Sequence, residues 1–166
     1  MALKTFSTAL ALAAGLAFAT GAALAHEGHQ GPPPKTPGGK AAWARHDNFK
    51  AQGAAFKAVL DELKKGAPDQ AVLTSNAAKL KASSTALPSW FPKGSGPESG
   101  VKTDAKVEVW TDAAGFAAAA NRFQVETSKF QQIVAAGDIG AIKAETRVLG
   151  AACKNCHDKY RVPEKK

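Results

Sequence analysis

The chain has 166 residues, with 22 Lys and Arg against 14 Asp and Glu and a formal net charge of +8. That length suits one ordinary domain with a core of its own. A basic balance admits nucleic acid, but the Lys residues are dispersed and no nucleic-acid module or long basic run occurs, so that class is set aside. The charge reads as solubility or as attraction toward an acidic partner.

Residues 1–25 read as an export signal, with Lys4, an apolar run rich in Ala and Leu, and the small-residue pattern Ala23-Leu24-Ala25. Cleavage after Ala25 leaves 141 residues with a net charge of +7 and sends the chain to the periplasm. A membrane anchor is the weaker reading, because Gly15, Thr20 and Gly21 interrupt the run. No later segment is apolar enough to span a bilayer, so the mature chain is expected to have no membrane span. Residues 26–39, rich in Pro and Gly, read as a flexible lead-in. His26 and His29 in it offer too few ligands for a closed metal site.

From about Pro37 the pattern is helical. Ala42, His46, Phe49, Gly53, Phe56, Leu60 and Leu63 are spaced three and four apart as far as Gly66. Pro68 suits the first turn of a second helix carrying Leu73, Ala77, Leu80, Ser84 and Leu87. Pro88 to Val101, with its prolines, glycines and the adjacent Trp90 and Phe91, reads as a long crossing loop. Thr103 or Asp104 caps a third helix with the stripe Val109, Ala113, Phe116, Ala120, Phe123, Thr127, Phe130 and Val134, closed by Gly137. Asp138 caps the fourth, in which Ile139, Ile142, Thr146, Leu149, Cys153, Cys156 and Tyr160 share a face before Pro163. The expected architecture is an all-α antiparallel four-helix bundle over residues 40–162 with a short tail at 163–166, and such bundles commonly house cofactors.

The only two cysteines stand as Cys153-Lys154-Asn155-Cys156-His157, the attachment pattern of a c-type haem. On a helix the two sulfurs fall on one face, where each can form a thioether, and His157 follows to bind the iron. A structural zinc site needs about four ligands, and the other histidines are His26, His29 and His46. A thioredoxin-like dithiol belongs beside a βαβ pattern, which is lacking, and a plain disulfide leaves His157 without a role.

The second axial position decides the function. The only methionine is Met1, in the signal, so His/Met ligation is impossible in the mature chain. His46, a Lys or nothing remains, and a five-coordinate iron with an apolar distal side leads. Arg161, one turn after His157, can lie beside the imidazole or reach a propionate, or simply favour a helix C-terminus. Arg45, one turn before Phe49, can pair with a propionate, although taken alone it reads as a solvated surface residue.

These features together resemble cytochrome c prime, the high-spin branch of the class II c-type cytochromes, over residues 40–162. The marks are CKNCHDKYR, ALPSWFPKGSG, VWTDAAGF and an Arg four residues ahead of a bulky apolar residue in the first helix. The resemblance implies a homodimeric bundle holding one five-coordinate haem c that binds nitric oxide and carbon monoxide but discriminates against oxygen. His157 then matches the axial ligand, Arg161 the basic residue beside it, Arg45 the propionate partner and Phe49 the distal apolar position, with Phe91 as distal lid. Phe49 departs from the Leu or Met common at that position, and a rigid ring there slows gas binding. The low-spin relatives place Met at that position, which this chain lacks.

Three functions follow as expectations: gas binding, one-electron transfer with periplasmic redox proteins, and peroxidase-like catalysis. The last needs a distal acid or base, for which His46 is the single candidate, so the chain is read as no enzyme. The alternative to the open site is a low-spin carrier with His46 or a Lys as sixth ligand.

Overall fold

The computed structural model describes residues 32–163. The signal, most of the lead-in with His26 and His29, and residues 164–166 lie outside them. Helix α1 spans Pro37–Glu62 and α2 Gln70–Ala86. After two short 3-10 turns come α3 at Glu108–Thr111, α4 at Ala113–Ala136 and α5 at Ile139–Tyr160. Among the described residues the sole extended pairing is a bridge between Ala105 and Arg161.

The long helices α1, α2, α4 and α5 run alternately up and down as a four-helix bundle. Gln70 donates to the Val134 carbonyl while Ser84 bonds Thr127, so α2 and α4 are antiparallel. Lys129 pairs with Glu145, and Tyr160 reaches Asp112, which sets α5 antiparallel to α4. The core holds Val59, Leu73, Leu80, Phe130, Val134, Ile142 and Leu149, all essentially inaccessible to water. Each such side chain contributes about 2 kcal/mol by burial.

Local signals explain most helix ends. Asp69 caps α2 through the Ala71 and Val72 N–H groups, so Pro68 precedes the helix instead of opening it. Gly137, at φ 80°, ends α4, and Asp138 accepts from the Ala141 N–H to start α5. α1 begins at Pro37, where the helical pattern was expected to start, so it takes in residues 37–39 of the segment also read as lead-in. A Cβ on Gly38 would collide with the Gly94 carbonyl, so at Gly38 the first turn of α1 meets the crossing loop backbone to backbone.

Thr103 and Asp104 do not cap the third long helix. The Thr103 hydroxyl accepts from Arg45 and from the Ala105 N–H, and the Asp104 carbonyl accepts from Val162. The cap is Asp112, reached after the separate turn α3, because the chain first runs alongside residues 160–162.

The face of α1 also differs from the apolar spacing. His46 and Gly53 are exposed and Leu60 is 39% exposed, while Arg45, Ala55 and Val59 are buried. The inward stripe is Ala42, Arg45, Phe49, Gln52, Ala55, Phe56, Val59 and Leu63, and its polar members hid it from a count of apolar positions.

Candidate functional site

Cys153, Cys156 and His157 lie in the last two turns of α5. Both cysteines are half-buried separate thiols, and Cys153 packs against the core. Burial, with the neighbouring Cys156 next, pushes the Cys153 thiol up to about 11, and burial also raises Cys156. Among the described residues no cluster of three or more His, Cys, Asp or Glu side chains is placed to hold a metal ion.

His157 is exposed and shares an open recess of about 290 Å³ with Asp158, Arg161, Val162 and Pro163. Arg161 caps α5, its N–H donating to the His157 carbonyl at 3.0 Å. The segment after the helix is tied down by the Lys106 N–H to the Tyr160 carbonyl and the Val162 N–H to the Asp104 carbonyl. Tyr160 donates to Asp112 at 2.9 Å, and Lys159 pairs with the same carboxylate at 2.6 Å. A Cβ on Gly115 would strike both Asp112 and the Tyr160 hydroxyl, so this clamp requires glycine there.

Across the bundle, Phe49 on α1 meets Trp90 edge to face at 5.2 Å and Phe91 at 6.0 Å. Phe91 continues to Phe116 at 4.8 Å, and Phe116 to Tyr160 at 5.3 Å. One aromatic array therefore runs from α1 through the crossing loop and α4 to the haem-motif helix, in the edge-to-face arrangement aromatic pairs favour. A cleft of about 330 Å³ opens on its α4 side, between Pro88, Phe91, Trp110, Phe116 and Gln124, and touches neither cysteine.

Arg45 is 3% exposed, which overturns the solvated-surface alternative. Its Nη1 donates to the Trp90 carbonyl at 3.2 Å and the Ser95 hydroxyl at 3.0 Å. Its Nη2 donates to the Ser95 carbonyl at 2.8 Å and the Thr103 hydroxyl at 3.0 Å. The guanidinium also stacks 4.7 Å over Phe91. Trp110 fastens the same loop, its indole N–H donating to the Phe91 and Pro92 carbonyls at 3.2 Å each. His46 stands on the exposed side beside Asp47, with Nδ1 3.5 Å from Oδ1.

Sequence reasoning singled out Cys153, Cys156, His157, Arg161, Arg45, Phe49 and Phe91. The structure joins Arg45, Phe49 and Phe91 into one cluster, and places His157 and Arg161 together at the end of α5. It adds Trp90, Trp110, Phe116, Gln52 and the Asp112–Tyr160 clamp. Trp110 and Asp112 lie in VWTDAAGF, the quoted stretch that carried the missed signal.

α1 packs on α2, α2 on α4 and α4 on α5, but α1 and α5 close against each other only weakly. On the inward stripe of α1, the Gln52 Oε1 is buried without a hydrogen-bond partner. The donor set, two thiols and an imidazole in the last two turns of one helix, fits a covalent haem.

Comparison with known proteins agrees. The family model Cytochrome C' matches residues 40–161. Cytochrome c' of Rubrivivax gelatinosus is 42% identical over 90 residues, 51% of this chain and 70% of that protein. Its crystal structure matches with a TM-score of 0.68 at 35% identity, covering 75% of this chain and 96% of that one. A variant of cytochrome c prime from Alcaligenes xylosoxidans in its nitric oxide complex matches with a TM-score of 0.68 at 30% identity, covering 76% and 97%. Another variant of that protein, with carbon monoxide bound, matches equally. The chain belongs to the cytochrome c' family, whose cofactor is a covalently bound c-type haem.

Proposed function

We propose that this chain is an exported mono-haem cytochrome with a five-coordinate, high-spin iron that binds nitric oxide and carbon monoxide and exchanges single electrons. Cys153 and Cys156 would hold the haem through thioethers, and His157 would be its protein ligand. When bound, the haem supplies an iron that changes oxidation state by one electron and accepts a small gas. The chain's own residues hold it and shape its surroundings. Phe49 presents a ring where a sixth ligand would stand, backed by Trp90 and Phe91. Arg45 keeps those two aromatics in place through its bonds to Trp90 and Ser95 and its stacking on Phe91, and its charge would offset that of a propionate. Arg161, beside His157, supplies a cation on the other side.

The single observation that carries the reading is that the chain's one methionine is Met1 and that His46 stands exposed beside Asp47, off the inward stripe of α1. The nitric oxide and carbon monoxide complexes of the Alcaligenes xylosoxidans protein support the same chemistry. Adding nitric oxide to the ferrous protein tests it. The account expects a new spectrum at equimolar gas, and an unchanged spectrum would contradict it. Electron transfer rests on the single haem and the basic surface, and is expected to show as reduction by an acidic donor that slows as salt is raised.

A further inference from the structure

Gln52 occupies the middle of the inward stripe of α1, three residues after Phe49 and four before Phe56, so the three side chains share a face. Its Oε1 is buried and has no hydrogen-bond partner. A buried acceptor left unmade costs about 1–3 kcal/mol, so it calls for a cause. The other buried oxygen without a partner, Oε1 of Glu145, belongs to a carboxylate already paired through Oε2 with Lys129 of α4.

The level of Gln52 along the bundle follows from one close approach. The Phe56 ring comes within 3.5 Å of where a Cβ on Gly150 would stand. α1 and α5 are antiparallel, so one turn back along α1 reaches Gln52 while one turn forward along α5 reaches Cys153. The next step pairs the level of Phe49 with that of Cys156 and His157. The oxygen thus lies on the α1 face opposite the attachment helix, beside Phe49.

An unpartnered carbonyl needs a hydrogen-bond donor. The haem propionates are acceptors and offer it nothing, and the Arg45 terminal nitrogens are committed to the crossing loop. We propose that Gln52 determines ligand specificity by accepting a hydrogen bond from a small protic molecule, water in the resting protein, held between α1 and the haem beside the open iron position. The proposal rests on the reading that α1 supplies the face opposite His157. It makes that face apolar through Phe49 but not dry, and an incoming aprotic gas must displace the molecule Gln52 holds. A net hydrogen bond of about 1 kcal/mol corresponds to about five-fold in rate.

The test uses the holoprotein in its ferrous form with carbon monoxide as probe, comparing wild type with Gln52→Leu and Gln52→Asn. Gln52→Leu is expected to raise the carbon monoxide association rate about five-fold and to shift the C–O stretching band. Gln52→Asn, which withdraws the amide by one methylene, is expected to fall between. Wild-type rates and an unmoved band in both variants, with a higher thermal midpoint for Gln52→Leu, would overturn the proposal and leave Gln52 as a buried polar side chain that meets no ligand. Low-spin bands in wild-type ferrous protein before gas is added would overturn the open-position reading beneath it, and are seen before any variant is compared.

Discussion

At Arg45 a charge is taken out of water because every hydrogen on its two terminal nitrogens finds an acceptor. Burial lowers its pKa, partly opposed by Glu98, but an arginine so placed stays charged. Lysine carries the same charge without the planar fork, so Arg45→Lys separates charge from geometry. The substitution is expected to cost about 2 kcal/mol of stability and to speed amide hydrogen exchange in residues 90–103. Unchanged exchange would show that charge alone is needed there. At the other wall, the double variant Cys153→Ala, Cys156→Ala is expected to release its haem into acidified organic solvent, whereas the wild type retains it. The cysteines and His157 were legible because their spacing is itself the chemistry. The inward placing of Arg45 and Gln52 was not, since periodicity counts apolar residues: Arg45 reaches the inside through hydrogen bonds to the crossing loop and Thr103, and Gln52 is a polar residue on the same stripe.

Among the elements, the end of α5 depends on the start of α4. Asp112 accepts from the Gly115 N–H as helix cap and from the Tyr160 hydroxyl, and pairs with Lys159. Its carboxyl is held below the ordinary carboxylate range, chiefly by Lys159 and then by Tyr160 and the Gly115 N–H. A lowered folded value means stability present above about pH 4 and lost as pH falls through that lowered value. Asp112→Ala is therefore expected to lower the thermal midpoint at neutral pH, with the gap to wild type narrowing in acid. A gap independent of pH would contradict this. The four long helices were legible from period and caps, and Gly137 and Asp138 stand where they were expected. The start of α4 was not, because Thr103 and Asp104 have capping side chains but are drawn into contacts with Arg45 and Val162. Local propensity yielded there to tertiary pairing.

For the whole molecule, α1 packs on α2, α2 on α4 and α4 on α5, while α1 and α5 pack only weakly. The attachment motif is on α5, and Phe49 and Gln52 are on the inward stripe of α1. The family, the bundle and the cofactor were all legible in the sequence, because CKNCH, the loop aromatics and the helical stripes are local features. The central claim is that no side chain of this protein occupies the sixth position of the iron. The most direct test is the visible absorption spectrum of the ferrous protein at neutral pH without added ligand. The account predicts a single broad high-spin band, and sharp, split low-spin bands would contradict it by showing that His46 or a Lys has closed the site.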